Sequence, residues 1–325
     1  MLNVIFDIDG VLIDVRRSFH DTIKSTVTYY LKEFLDIPVK RQAISEEDIQ
    51  SFKLLGGFND DWDLTAGMLY YFVSLIPKST ISFKDKTVKE IQDLLRFKVK
   101  KNNNIFLKKD IAAFVRKIKS PGIKGILKAT GEKNKDLVLY EGDVLDSNLV
   151  KRVFQEIYWG IDMFPRVYNE KNKFCFKPGK VHKEMLIADR LLLKKLSEKK
   201  DVVLSIVTGR EKFDAEYSLE KYDIRKFFSN IITLTDIKDK KFKKPDPYCL
   251  NLLETQIKKP IKQRFYVGDQ IDDIKMVNSV RKDYDIKGIG FLYNPKDLET
   301  RELFKKNKAD YVVDNWRNLG EILVG

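Results

Sequence analysis

The stretch MLNVIFDIDGVLID, residues 1–14, joins a short apolar run to two aspartates, Asp7 and Asp9, and then to Gly10. Residues 2–8 are few and rich in branched side chains, a pattern typical of a strand buried on both faces of a parallel sheet. Side chains two positions apart on an extended chain point the same way, so the two carboxylates can face one ligand. The stretch therefore predicts the first strand of a parallel sheet, with an acidic site at its end.

Apolar runs of the same kind return only in the last part of the chain, where they alternate with helical patterns. This alternation predicts an α/β fold with a doubly wound, Rossmann-like parallel sheet. The further strands are predicted at 202–209, 230–234, 264–269, 286–292 and 310–314, after an amphipathic helix at 183–200.

The first strand stands alone in the sequence, and the simplest topology places it in the same sheet as the later strands. Residues 1–14 and 183–325 then form a core domain, and residues 15–182 form an inserted, mostly helical domain. Apolar spacing predicts helices in the insertion, and glycines with lysines predict a loop or hairpin at 120–143. The predicted helices cover 15–35, 45–57, 60–76, 87–99, 110–119 and 147–163.

The composition excludes several classes of protein. The chain has 325 residues, 43% of them hydrophobic, which is enough for two packed domains, and no apolar stretch is long enough to span a membrane. Cys175 and Cys249 lack metal-like spacing and, with no signal-like N-terminus, favour the cytoplasm. Since His20 and His182 are the only histidines, carboxylates must carry most acid–base chemistry.

The net charge of +13 allows two interpretations. It can attract anions such as phosphorylated metabolites or nucleic acid, or it can reflect a solvated surface rich in lysine. The lysines are spread over the whole chain, which favours the surface reading and argues against nucleic acid as a partner. The oligomeric state has no signal in the sequence.

Polar residues follow several of the predicted strands. Ligands bind beyond the carboxyl ends of the strands in an open parallel sheet, so these residues are expected at one edge. No single piece is specific, but their order along the chain points to one catalytic site. The pieces are Asp7 to Gly10, Thr208-Gly209-Arg210, the turn Lys243-Lys244-Pro245-Asp246-Pro247, and Gly268-Asp269 with Asp272 and Asp273.

These residue types suit phosphoryl transfer. Asp7, Asp269 and the main-chain carbonyl of Asp9 offer the oxygen ligands that Mg²⁺ prefers. A carboxylate can attack phosphorus, and Asp9 can protonate the leaving oxygen and later deprotonate water. The Thr208 hydroxyl can donate to a phosphoryl oxygen, and the Lys244 ammonium can offset negative charge.

The motifs DIDGV (7–11), the strand ending in Thr208, KPDP (244–247) and GDQIDD (268–273) resemble those of the haloacid dehalogenase superfamily. The resemblance implies that Asp7 is the nucleophile and Asp9 the acid–base residue. It also implies that Thr208 and Lys244 bind phosphate. Members that cleave carbon–halogen bonds lack the second aspartate, so Asp9 favours phosphate chemistry. The metal site predicted on this basis comprises Asp7, Asp9, Asp269 and Asp273, with Asp272 as an alternative to Asp273 for support through water.

The insertion resembles the helical cap of subfamily I members, and its extra length around 96–145 has no assigned role. Within KLLGGFNDDWDLT (53–65), the substrate-binding candidates are Lys53, Asn59, Asp60 and Trp62. The alternative is a plain helix–loop–helix in which Asn59 or Asp60 caps a helix and Trp62 packs. Gly209, Arg210 and Arg17 are further candidates for substrate contact, with surface ion pairs as the alternative for the arginines.

The sequence thus predicts a Mg²⁺-dependent phosphomonoester hydrolase that acts on a small phosphorylated metabolite through an aspartyl-phosphate. The nearest alternative is a sugar phosphomutase of the same superfamily, which would use the same two aspartates. A phosphatase of nucleic-acid ends and a basic nucleic-acid-binding protein are more distant alternatives.

Overall fold

The computed structural model describes residues 1–39, 41–58, 60–78, 90–91, 93–94 and 109–324. The chain divides into two compact units. The core unit comprises Met1–Val15 and Glu184–Gly325, and the helical unit comprises Arg16–Lys183.

The core unit contains a parallel sheet of six strands in the order β5-β4-β1-β6-β7-β8, and a short antiparallel pair, β2 with β3. The predicted α/β fold with a doubly wound parallel sheet is confirmed, as is every predicted strand, within a few residues. The strands are β1 Leu2–Phe6, β2 Ile13–Asp14, β3 Met185–Leu186, β4 Val202–Val207, β5 Asn230–Ile232, β6 Gln263–Gly268, β7 Ile286–Phe291 and β8 Tyr311–Val313.

Strand β1 lies in the middle of this sheet and is buried on both faces, as its run of apolar residues requires. Phe6 pairs with Ile206 of β4 on one side and with Val267 of β6 on the other. The three strands therefore end at one level, and the residues that follow them meet at one edge of the sheet.

In its described residues, the helical unit consists mostly of helices around a buried apolar core. A continuous helical stretch runs over 16–34, with π-helical turns at Arg16–His20 and Tyr30–Phe34 on either side of α1. Helix α6 is kinked at Gly160. The helices are α1 Asp21–Tyr29, α2 Glu46–Leu54, α3 Asp61–Leu75, α4 Ile111–Arg116, α5 Gly122–Thr130 and α6 Leu149–Tyr168, with 3-10 turns at Lys135–Leu137 and Lys180–Lys183.

The loop or hairpin predicted at 120–143 is wrong. Helix α5 begins after Pro121 and ends at Gly131, which adopts the left-handed conformation common after helices. Ile123, Ile126 and Leu127 have helical spacing and pack α5 against α3, and this burial outweighs the low helix propensity of glycine. The helix predicted at 87–99 lies largely outside the described residues.

Helices flank the sheet of the core unit. The helix predicted at 183–200 begins only at Arg190, because the Asp189 side chain caps the main-chain N–H groups of Leu191 and Leu192 at 2.8 and 3.0 Å. The helices are α7 Arg190–Ser197, α8 Lys212–Lys221, α9 Tyr248–Gln256, α10 Ile271–Ser279, α11 Leu298–Lys306 and α12 Trp316–Val324. Across the described residues, no helix combines the length and apolarity that crossing a membrane demands.

Candidate active site

Asp7 is the first residue after β1 and is held by fixed donors. Its Oδ1 accepts a hydrogen bond from the main-chain N–H of Ile8 at 2.7 Å, and its Oδ2 accepts one from Lys244 Nζ at 2.9 Å. Only 7% of the residue is exposed. The carboxylate therefore has a defined orientation at the edge of the sheet.

Three carboxylates gather at this edge. Asp7, Asp269 after β6 and Asp273 in the first turn of α10 each offer an oxygen, and these oxygens lie within 4.8 Å of one another. Oxygen ligands at such spacing suit a hard divalent cation, and a cation would relieve the repulsion among the carboxylates. Asp272, the alternative to Asp273, instead pairs with Lys275 at 3.0 Å.

Two glycines make room for the carboxylates. Gly10 has a φ of +69°, and a Cβ at this position would lie 2.2 Å from Oδ2 of Asp269. A Cβ on Gly268 would lie 2.3 Å from Oδ2 of Asp273. The main chain thus approaches both carboxylates so closely that only glycine fits.

Gln270 orients two of the three carboxylates, a role that the sequence analysis did not assign. Its side-chain Nε2 donates to Asp269 Oδ2 at 3.0 Å, and its main-chain N–H donates to Asp273 Oδ2 at 3.1 Å. Such hydrogen bonds fix the direction of carboxylates that can bind a metal.

Lys244 links two of the acids across a buried space. Its Nζ lies 2.9 Å from Asp7 Oδ2 and 2.8 Å from Asp273 Oδ1. Although burial disfavours its charge, the carboxylates of Asp273 and Asp7 raise the pKa of Lys244 well above its ordinary value. The ammonium therefore stays charged beside the predicted nucleophile.

Tyr266 on β6 is a second residue that sequence reasoning missed. Its hydroxyl lies 3.1 Å from both the Val207 carbonyl and Asp273 Oδ1 and can donate to either. Burial and then the Asp273 carboxylate raise the pKa of Tyr266 well above its ordinary value, so it remains a neutral donor. Burial raises the pKa of Asp273 itself to about 6, against the opposing effect of Lys244.

Thr208 follows β4, which neighbours β1. Its main-chain N–H donates to Ile232, and its Oγ1 accepts from the main-chain N–H of Arg210 at 3.3 Å. Gly209, the candidate next to it, is exposed. The structure thus brings Asp7, Thr208, Lys244, Asp269 and Asp273 to one edge of the core unit.

Asp9 has a different environment from the three clustered acids. Its Oδ1 accepts from Arg210 Nε at 2.7 Å, and its side chain is 30% exposed. The predicted contact between Asp9 and a metal ion, through the main-chain carbonyl of Asp9, stays a prediction. The Arg210 side chain is 1% exposed and engaged inside the core unit, and its contact with substrate stays a prediction.

Lys53, Asp60, Trp62 and Arg17 lie in the helical unit, and Asn59 lies outside the described residues. The Asp60 side chain caps α3 through the N–H of Trp62 at 2.8 Å. Trp62 is 9% exposed, with Lys151 Nζ 3.8 Å from its ring centroid. These contacts fit the alternative of capping and packing. Lys53 Nζ lies 3.0 Å from His20 Nε2, and Arg17 is exposed. A substrate role for these residues stays a prediction.

Comparisons with known proteins agree with this arrangement. A family model described as haloacid dehalogenase-like hydrolase matches residues 159–280. No curated protein matches the chain.

Solved structures share the fold along almost the whole chain. A Northeast Structural Genomics Consortium target, ZR25, is 20% identical with a TM-score of 0.66, covering 99% of this chain and 98% of that one. "Phosphatase Tt82" from Thermococcus thioreducens is 23% identical with a TM-score of 0.56, covering 94% and 98%. A protein titled "predicted phosphoglycolate phosphatase" from Haemophilus somnus is 15% identical with a TM-score of 0.50, covering 98% and 96%.

The fold, the order of the motifs and the family match point to one class of protein. Residues 159–280 are similar to haloacid dehalogenase-like hydrolases, and the fold of the solved structures agrees with that likeness. The second aspartate, Asp9, is the sequence feature that predicts phosphate chemistry for this site.

Proposed function

We propose that the protein is a Mg²⁺-dependent hydrolase of phosphate monoesters that forms an aspartyl-phosphate on Asp7. The observation that carries the proposal is the group of three carboxylates within 4.8 Å of one another, with Lys244 bridging two of them. The donor set fits Mg²⁺, because Asp7, Asp269 and Asp273 supply only hard oxygen ligands. When bound, Mg²⁺ would neutralise charge on the phosphoryl oxygens and the carboxylates.

The residues of this edge divide the reaction into two displacements. An Asp7 oxygen attacks phosphorus while the bond to the leaving oxygen breaks, and Asp9 gives its proton to that oxygen. A water then attacks the same phosphorus, the bond to Asp7 breaks, and Asp9 takes the proton of the water. The products are an alcohol and inorganic phosphate.

Two residues have supporting roles in both steps. The Lys244 ammonium offsets the negative charge that Asp7 and the phosphoryl group bring together. The Thr208 hydroxyl, which is oriented by the main chain of Arg210, can donate to a phosphoryl oxygen.

We place the substrate among small phosphorylated metabolites and the enzyme in the cytoplasm. The first proposal rests on the phosphatase-type site, and the second on two cysteines, both of which are free thiols.

A panel of phosphorylated metabolites tests the proposal through release of inorganic phosphate. We expect turnover of at least one monoester with Mg²⁺ and its loss when a chelator is added. Turnover that survives chelation would contradict the metal requirement. Isomerisation of a sugar phosphate without net release of phosphate would indicate the phosphomutase instead.

A further inference from the structure

We propose that Arg210, anchored by Glu184 and Ser218, is a positioning residue that holds the carboxylate of Asp9 in place for proton transfer. The inference rests on the proposed function, because it concerns the acid–base residue of that reaction. It differs from a contact between Arg210 and substrate, since a buried guanidinium that touches Asp9 acts through Asp9.

Two nitrogens of Arg210 contact the Oδ1 atom of Asp9. Nε and Nη2 of Arg210 both lie 2.7 Å from Asp9 Oδ1. Proton exchange at the other oxygen, Oδ2, therefore requires no break in these contacts. The Asp9 side chain is 30% exposed, and contacts with a buried guanidinium restrict the rotamers that such a side chain can adopt.

Arg210 is itself held from the opposite side. Its Nη2 lies 3.0 Å from Glu184 Oε1, and its Nη1 donates to Ser218 Oγ at 2.6 Å. Ser218 Oγ in turn donates to Glu184 Oε2 at 2.6 Å, and the Tyr222 hydroxyl donates to the main-chain oxygen of Glu184. The Glu184 side chain is fully buried.

The charges of this group support a positioning role. A buried glutamate costs free energy unless it is paired, and here the pairing is with a guanidinium that also reaches Asp9. The planar fork of arginine can contact both carboxylates at once, whereas the single ammonium of lysine cannot keep that geometry. Loss of the fork should displace Asp9 without removing it, and small displacements of catalytic groups slow reactions strongly.

The test is rapid-quench kinetics of R210K with p-nitrophenyl phosphate and Mg²⁺. Nitrophenolate leaves easily, so formation of the aspartyl-phosphate needs little help from Asp9, whereas its hydrolysis needs Asp9 as base. We expect kcat to fall about 10- to 100-fold, with a burst of nitrophenol close to one per active site. KM should not rise, and kcat/KM should change far less than kcat.

Two further variants test whether the effect is specific to the contacts of Arg210. E184Q retains a hydrogen-bonding group beside Arg210 and should give a weaker form of the same pattern. R264K is the matched control, because Arg264 makes a buried, two-pronged pair with Glu254 at 2.6 and 2.7 Å at the other end of β6. R264K should lower the stability of the protein. Its kcat should equal that of the wild type, and it should show a burst of nitrophenol only if the wild type does.

The outcomes separate the two proposals. The positioning role alone is overturned if the wild type turns over substrate and R210K has an unchanged kcat. It is also overturned if the wild type turns over substrate and R210K shows a raised KM with an equal loss of kcat/KM. If R210K does not fold, the same criteria apply to E184Q. A wild-type protein that releases no phosphate from any monoester with Mg²⁺ would overturn the proposed function and this inference with it.

Discussion

Asp7 is the residue on which the proposed chemistry depends most directly. D7N keeps the size of the side chain and an oxygen for the N–H of Ile8, but it removes the nucleophilic charge next to Lys244. We expect phosphate release to fall by at least roughly 10³-fold, as losses of nucleophiles do. Circular dichroism should show an unchanged fold, and turnover near the wild-type rate would exclude Asp7 as nucleophile.

Gly10 tests the carboxylate cluster without touching a carboxylate. G10A would place a Cβ 2.2 Å from Asp269 Oδ2, so the Asp269 carboxylate must leave its position in the cluster. We expect G10A to lose the rise in melting temperature that Mg²⁺ gives the wild type by binding the folded state.

Gly131 provides the control for this substitution. Its φ is +61°, close to the +69° of Gly10, but a Cβ there meets no atom within 4 Å. G131A therefore carries a similar backbone strain of about 1 kcal/mol and should keep the full response to Mg²⁺. An equal loss of response in both variants would mean that strain, and not the position of Asp269, is responsible.

The residues of the edge differ in how far the sequence reveals them. Asp7, Thr208 and Asp269 each directly follow an apolar strand, and parallel strands bring such residues together. Glu184 and Tyr266 carry no comparable signal. Their roles arise from which side chains meet after folding, and a single sequence does not contain that information.

At the scale of elements, one buried ion pair ties a loop to a helix in the helical unit. Glu156 on α6 accepts from Arg152 Nε at 2.6 Å and from the main-chain N–H groups of Lys173, Phe174 and Cys175 at 2.7–3.0 Å. Its side chain is fully buried. The carboxylate thus gives one buried guanidinium N–H and three main-chain N–H groups a common acceptor.

We expect E156A to lower the free energy of unfolding by about 3–5 kcal/mol, because Arg152 and three main-chain donors lose their acceptor. Urea denaturation measures the change. The matched control is E321A, since Arg317 and Glu321 on α12 have the same spacing but are mostly exposed, with side chains 89% and 67% accessible. E321A should change stability little, and a similar loss in both variants would contradict the importance of burial.

Elements were predictable where local patterns and packing agree. The strands of the core unit are short branched runs between polar residues, and all were found close to the predicted positions. Helix α5 was missed because glycines at 122 and 125 suggested a loop, whereas its apolar residues pack against α3. The start of α7 was predicted too early because it depends on capping by Asp189. The sequence does not distinguish this aspartate from the other polar residues of the amphipathic run.

At the scale of the whole molecule, the acidic cluster and the two histidines lie in different units. The acidic edge of the core unit unites residues from both ends of the chain, with Asp7 from the first segment and Lys244 and Asp269 from the second. The helical unit contains no member of that cluster but holds both histidines of the chain. A bound metal should therefore act on the core unit, whereas protonation of histidine should act on the helical unit.

His20 makes the helical unit sensitive to acid. Its Nδ1 lies 2.5 Å from Glu46 Oε1, and its Nε2 lies 3.0 Å from Lys53 Nζ. Burial and then the Lys53 ammonium lower the pKa of His20, although the carboxylates of Glu46 and Asp61 oppose them. Below the ordinary pKa of about 6.5, the unfolded chain binds a proton that the folded chain resists, so stability falls as pH falls.

Melting temperatures at about pH 7.5 and 5.5 measure this loss. H20Q removes the group that resists protonation, so we expect a smaller fall in melting temperature on acidification than in the wild type. H182Q is the control, because His182 pairs with Asp162 at the surface and its side chain is 40% exposed. H182Q should keep the wild-type fall. Equal falls in wild type and H20Q would assign the acid sensitivity to groups other than His20.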